Sequence, residues 1–298
     1  MNQSIDVSVI IVSYNTKELL RACLNSLYDQ THALDYEVIV VDNHSQDGSL
    51  KMLQENFREV VVLALAENIG FGRANNEGIK IARGRNMFLL NPDTLLVNNA
   101  IKILSDFLDE HEDVGVCGGN LYTKNLQPTH SYMLRTPSLL GELNNMLFGY
   151  LYRWYYGSNI EFNFTENPIE VGYVTGADMM IRKCVLDKVG GFDVDFFMYF
   201  EETELSRRIR KAGYRIMNVP HSKIIHLEGQ SITLKENREN IFLASRRLYF
   251  QKMYSCRIQR WLCQVIYGAG ALLQILYFSC YRRDKDMVRL WKYRLLHF

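Results

Sequence analysis

Three carboxylates and a histidine stand in this sequence at places where they could do chemistry together. "FLLNPDTLL" (88 to 96) sets Asp93 just after a proline at the foot of an apolar run. "MYFEETELSRR" (198 to 208) sets Glu201 and Glu202 behind an aromatic run, and "KIIHLEGQS" (223 to 231) ends a strand-like segment on His226. An acid at a strand end can hold a cation, and an acid at the mouth of a helix can take a proton.

In a helix beginning near Glu201, helical spacing puts Glu202 on the stripe of Leu205 and Ile209, facing the interior. Glu201 and Glu204 fall on another face, with Arg208 four residues after Glu204 in ion-pair register. Beside Phe196, Phe197 and Phe200, the Glu202 carboxylate would hold its proton more tightly than in water, as a general base requires. The competing reading is that Glu201 and Glu202 only favour the helix dipole at its N-terminus. Asp93 alone is a weak cation site. Magnesium or manganese is typically held by one or two protein oxygens plus substrate phosphates, and a His226 nitrogen would suit manganese better. A lone histidine is otherwise most often structural.

The elements that must position these groups alternate. "VSVIIVSYN" (7 to 15), "YEVIVVDN" (36 to 43), "EVVVLALAEN" (59 to 68) and "NMFLLNPD" (86 to 93) read as strands, with helical patterns between them. Continuous Val, Ile and Leu runs between helices predict an α/β fold with a mostly parallel, Rossmann-like sheet flanked by helices. Ligands of such sheets sit at the carboxyl ends of the strands, where this chain delivers Ser13, Tyr14, Asn15, Asp42, Asn43, Asn68, Asn91 and Asp93. Each could equally be a cap or turn residue; four strand ends together point to a site. "NLYTKNLQPTHSYMLRTP" (120 to 137) reads as a hairpin with a loop, and 138 to 156 as helical. "GFGRAN" (70 to 75) lacks the third glycine of a dinucleotide fingerprint and follows the wrong strand for one.

Net charge is +1, unevenly spread: from Ile241 onward eleven Lys and Arg face two Asp, leaving −8 on the preceding residues. The uncharged stretch "WLCQVIYGAGALLQILYFSC" (261 to 280), between Arg257/Arg260 and Arg282/Arg283, favours anionic lipid over nucleic acid as the tail's partner. Twenty such residues could span a bilayer, but Gln264, Gln274, Gly268 and Gly270 weaken that reading. A helix lying on the cytoplasmic leaflet and a helix packed on the main domain are both open. Six cysteines without a CxxC pair read as reduced thiols, and the N-terminal run has no basic start, so a secretory signal is not expected.

Together the segments "VSVIIVSYN", "VIVVDNHSQDGS", "ENIGFGRANNEGI", "FLLNPD", "VTGADMMIRK", "GGFDVDFFMYFEETELSRRIRKAGY" and "HLEGQS" resemble glycosyltransferase family 2, and within it the rhamnosyltransferase-like branch that builds bacterial surface polysaccharides. The likeness covers roughly residues 7 to 232, in order. It implies a GT-A fold, here assigned to a domain over 1–235, and metal-dependent (Mn2+ or Mg2+), inverting transfer from a nucleotide-diphosphate sugar; the charge and apolar pattern add a basic, hydrophobic helical tail over 236–298 expected to associate with membrane. The implied acceptor is a lipid-linked glycan, the implied place the cytoplasmic face of the inner membrane, and nucleic acid is not expected.

Carried over by residue, Asp42 looks like the acid that hydrogen-bonds the base, with Ser13, Tyr14 and Asn15 around the nucleotide. Asn68, Gly70, Arg73 and Asn76 match the segment lining the nucleotide pocket. Asp93 matches the metal ligand of the family's acidic motif, whose first acid is here the neutral Asn91, on the nucleotide side. His226 matches the histidine approaching the metal or diphosphate. Gly176, Ala177 and Asp178 match the acceptor-side loop, and Arg208 the basic residue of the helix. Glu202 takes the place of the base, with Glu201 as fallback, although the family's usual pair is Glu-Asp.

Two other classes compete. A nucleotidyltransferase would want a glycine-rich basic loop after the first strand, where this chain reads "SYNTKELL". A non-catalytic nucleotide-sugar-binding subunit of a membrane glycan assembly complex would keep the cleft and lose the chemistry. A Rossmann oxidoreductase ranks below both.

Overall fold

The computed structural model describes residues 5–227 and 235–298. Glu228 to Ser231, the end of the "HLEGQS" segment, therefore lie outside the described residues.

β1 (Val7–Ser13) is buried along its whole length, as a continuous apolar run demands when both sheet faces are covered. α1 (Lys17–Gln30), β2 (Tyr36–Asp42), α2 (Ser49–Asn56), β3 (Val61–Ala64), α3 (Phe71–Ile81) and β4 (Asn86–Leu90) complete the alternating half. β5 (Thr94–Leu96), α4 (Ala100–Glu110), β6 (Val114–Tyr122), β7 (Tyr132–Met133), α5 (Leu139–Met146) and α6 (Tyr150–Tyr156) follow. Then come β8 (Ile169–Glu170), β9 (Tyr173–Val174), β10 (Asp178–Arg182), α7 (Lys183–Val189), α8 (Glu201–Lys211) and β11 (Arg215–His226). The tail is α9 (Lys235–Met253), α10 (Arg257–Tyr277), a π-helical turn (Phe278–Arg282) and α11 (Lys285–His297).

The main sheet runs β3-β2-β1-β4-β10-β6-β11-β5, with β8 paired to β11. Its first four strands are parallel, as the alternation predicts, and so is the β6–β11 pair. The rest departs from that expectation: β10 lies antiparallel between β4 and β6, and β11 is antiparallel to β5 and β8. β10 starts beside the carboxyl end of β4, Asp178 opposite Leu90, and so runs back along it toward Asn86. The expected hairpin over 120–137 reduces to one bridge, Tyr122 to Pro128, while β7 leaves to pair with β9 in a separate two-stranded sheet.

Two apolar clusters cover the sheet. Val9, Ile11, Leu20, Leu24, Leu53 and Leu104 pack on one face, and Ile10, Ile39, Met87, Leu205 and Ile209 on the other. Each fully buried Leu or Ile contributes about 1.5–3 kcal/mol. β3 is the edge, so Val61 and Val62 are exposed although their strand reads as apolar.

The tail packs on the body. Tyr249, Phe250 and Cys263 form a third cluster with Phe196, and Lys252 pairs with Asp193 and Asp195 at 2.7 and 2.6 Å. Gly268 and Gly270, which weaken a spanning reading, are the close-packing face of α10: a Cβ on Gly270 would lie 3.3 Å from Met146 Cα, and one on Gly268 2.9 Å from the Phe298 ring. The opposite face leaves Ile258, Trp261, Val265, Leu272, Leu273 and Leu276 exposed.

Candidate active site

The parallel register brings Ser13 level with Asp42 at one edge of the sheet, and the turns that follow are cross-tied. The Asn15 amide donates to Ser45 Oγ and its side chain accepts from Gln46 N, with Asn15 itself at φ 53°. Ser13 Oγ is bonded to Thr16 Oγ1 at 2.9 Å. Asp42 is buried; one oxygen accepts from Ser45 N, and the other accepts no hydrogen bond. Asn43 reaches Asn68 Oδ1 at 2.9 Å and accepts from Ile69 N, so the second and third strand ends are joined.

Gly70 is required where it stands. Its φ is +89°, and a Cβ there would come within 2.3 Å of the Phe197 carbonyl oxygen, which accepts from Phe71 N. This contact holds the start of α3 against the aromatic run that precedes Glu201. Tyr199 and Phe200 have φ of 71° and 68°, a costly conformation for aromatic residues, and rings of Phe242 and Tyr249 brace them. Two strained residues thus deliver α8, with both glutamates in its first turn.

At the end of β4 the chain turns through Asn91 and Pro92, where Asn91 N donates to Ala177 O. Asp93 is 2% exposed, and β11 returns antiparallel to β5 with His226 opposite Thr94. His226 Nε2 therefore stands 3.3 Å from Asp93 Oδ1, an oxygen that accepts no hydrogen bond. Glu201 and Glu202 line the same cleft, of about 460 Å³, as Asp93 and His226. Tyr14, Asn68, Gly70, Asn91, Gly176 and Ala177 line the same cleft.

Both glutamates hold their protons above the ordinary carboxylate range. Glu201 is raised well above it by removal from water and then by the neighbouring Glu202 charge, and its buried Oε2 has no partner. Glu202, half-buried, is raised by the same desolvation. A cation fits this cleft to a limited extent: Asp93 and His226 are two ligands, and no cluster of three or more such side chains occurs among the described residues. Two protein ligands leave the remaining positions to phosphate oxygens, the usual arrangement for magnesium.

Seven expected residues lie away from the cleft wall: Ser13 and Asp42 are buried behind it and Asn15 lies in the turn beside it, their polar groups spent largely on the turns described above, and Arg73, Asn76, Arg208 and Asp178 are engaged elsewhere. Arg73 donates to Val194 O at 2.6 Å, and Asn76 clamps the Phe192 backbone in both directions at 2.8 Å. Arg208 is bound to Glu204 and to the carbonyls of Val189, Gly190 and Gly191. Asp178 is fully buried, accepts from Gly119 N at 2.6 Å and is raised by desolvation, so it braces β10 against β6. Conversely, His130, Tyr173, Tyr199 and Arg238 line the cleft without having been singled out. They come from a loop, a two-residue strand, a strained turn and the tail, where no periodicity marks a functional position.

With this geometry established, comparison with known proteins is specific. The model of Glycosyl transferase family 2 matches residues 8–190. An N-acetylglucosaminyl-diphospho-decaprenol L-rhamnosyltransferase of Mycobacterium tuberculosis is 27% identical over 247 residues, covering 75% of this chain and 76% of its own. Abequosyltransferase RfbV of Salmonella typhimurium is 29% identical over 151 residues, 47% of this chain and 45% of its own. Among solved structures, S. aureus TarS 1–349 superposes with a TM-score of 0.57 at 19% identity, over 94% of this chain and 74% of that one, and has also been solved in complex with UDP-GlcNAc.

Proposed function

This chain belongs to glycosyl transferase family 2, and on that premise we propose that it is an inverting hexosyltransferase of cell-surface glycan assembly. Its donor is a dTDP- or UDP-sugar, rhamnose first among the candidates, and its acceptor a hydroxyl of a lipid-linked glycan. The observation that carries this reading is the meeting of Asp93 and His226 with Glu201 and Glu202 in one cleft of about 460 Å³, a size suited to a nucleotide-sugar. The rhamnosyltransferase relative, named for a diphospho-decaprenol acceptor, supports the sugar and the lipid.

In the proposed reaction the nucleotide lies over the ends of β1 and β2, with Tyr14, Asn68 and Asn91 around it and Asp42, buried behind the cleft wall, on the side of its base. Glu202 accepts the proton of the acceptor hydroxyl as that oxygen attacks the anomeric carbon, and the carbon–oxygen bond to the nucleoside diphosphate breaks on the opposite face, which inverts the centre. Glu202 is preferred to Glu201 because it is only half-buried at the cleft, whereas Glu201 is 3% exposed. Gly176 and Ala177 wall the acceptor side. Asp93 and His226 would hold a divalent cation, manganese or magnesium, which when bound neutralises charge on the leaving diphosphate.

We assign the catalytic domain to 1–235 and the membrane-associating tail to 236–298. Among the described residues one helix, Arg257–Arg282, is long and apolar enough to cross a membrane, but its packed glycine face favours lying at the cytoplasmic surface with the exposed face toward lipid. The test is calorimetric titration with a panel of dTDP- and UDP-sugars, with and without manganese. Metal-dependent binding of one donor supports the proposal, and a folded protein that binds none of them sinks it.

A further inference from the structure

A diphosphate carries two negative charges into a cleft whose own acids are Asp93, Glu201 and Glu202, so a cationic side chain facing it would complement those charges beside a bound cation. The two arginines that the core sequence offers, Arg73 and Arg208, are tied to carbonyls and to Glu204 outside the cleft wall. Among the described residues lining the cleft, Arg238 is the single Lys or Arg. It comes from the first turns of α9, in the tail, beside Ile241.

Arg238 is positioned rather than loose. Its guanidinium carbon stands 6.0 Å from the ring centre of Tyr199, the strained residue two positions before Glu201. The helix beneath it is held to the same segment: Ser245 Oγ donates to Met198 O at 2.7 Å, and Phe242 packs on Tyr199 and Phe200. Arg238 is exposed, and no carboxylate pairs with it among the described residues. A planar fork of donors, charged at any working pH and held over an acidic cleft, matches phosphate oxygens two at a time.

We propose that Arg238 is a diphosphate-binding residue, through which the tail completes the substrate site. This rests on the transferase reading above. The diphosphate has two sources, the nucleotide donor and the lipid carrier of the acceptor, and the same chemistry recognises both.

The experiment uses the full chain as wild type, Arg238→Gln and Arg238→Lys, titrated in manganese buffer with UDP, UMP, dTDP, dTMP and geranyl diphosphate. The expected result is that Arg238→Gln weakens a diphosphate by about tenfold or more, leaves the monophosphates unchanged, and is partly rescued in Arg238→Lys. Loss confined to UDP or dTDP assigns the contact to the donor, and loss confined to geranyl diphosphate assigns it to the acceptor's carrier. If Arg238→Gln binds every diphosphate as wild type does, the proposal is overturned while wild-type nucleotide binding still upholds the transferase. If wild type binds no nucleotide at all, both readings fall. Because the side chain is exposed, unchanged thermal unfolding of the variants excludes a folding defect.

Discussion

Arg246 of α9 and Glu142 of α5 form an ion pair at 2.6 Å with side chains only 6% and 7% exposed. The guanidinium also lies 3.9 Å from the ring centre of Tyr267 in α10, so three helices meet on one charge. Removing one partner strands a buried charge, at a cost of about 3–5 kcal/mol. Arg246→Ala and Glu142→Ala should therefore each lower the unfolding temperature far more than a surface substitution does. A double change to apolar residues should recover much of the loss. Differential scanning calorimetry decides; equal loss in single and double variants would show that the pair itself is the source of stability.

Gly70→Ala should damage the site from outside the chemistry. The added Cβ meets the Phe197 carbonyl oxygen at 2.3 Å, and φ of +89° disfavours any side chain. The aromatic run before Glu201 must move, and a shift near 1 Å costs about a hundredfold in rate. The expected outcome is a fall in kcat larger than the fall in stability, read by kinetics beside thermal unfolding.

Asp93→Asn keeps the size of the side chain and removes its charge. Donor binding should lose its dependence on manganese, and activity should drop by about 10²–10³. His226→Ala should give a milder form of the same defect. Metal-dependent donor binding that survives in Asp93→Asn would move the cation elsewhere.

The glutamates predict pH behaviour with a definite sign. Glu202 is raised by desolvation, so it stays protonated to higher pH than an exposed glutamate at about 4.3, and the acid limb of kcat/KM should be displaced upward. Glu202→Gln should abolish that limb and lower kcat by about 10²–10⁴ while donor affinity holds.

Glu201 is raised further, first by desolvation and then by Glu202. A raised folded-state value means its contribution to stability is complete below the unfolded value and is lost as pH rises through the raised one. Glu201→Gln should therefore melt about 2–4 °C above wild type at pH 8, with the gap closing in acid. A gap that does not change with pH would contradict the burial of an ionisable group there.

Much of this arrangement could be read before any coordinates. The strand ends at Ser13, Asp42, Asn68 and Asp93 fall at one sheet edge because parallel strands joined by helices all point the same way, a property of local pattern and connectivity. The Glu204 to Arg208 pair follows from helical spacing alone, and it forms at 2.8 Å. The order of the family's segments carries the resemblance without reference to contacts.

What the tertiary structure decided was non-local. The antiparallel insertion of β10, the pairing of β7 with β9, and the contact of His226 with Asp93 each join residues distant in the chain, and no periodicity encodes which of several partners a strand end meets. Arg73 looks like a phosphate ligand by type and Arg208 like the basic residue of a site helix, yet folding sets Arg73 Nε on the Val194 carbonyl and spends the Arg208 guanidinium on the carbonyls of Val189 and Gly191. From composition the tail could lie on a membrane or pack on the main domain. Packing of Tyr249, Phe250 and Cys263 against Phe196 holds it on the body, where Arg238 and Ile241 line the candidate cleft, since apolar area removed from water is blind to sequence distance.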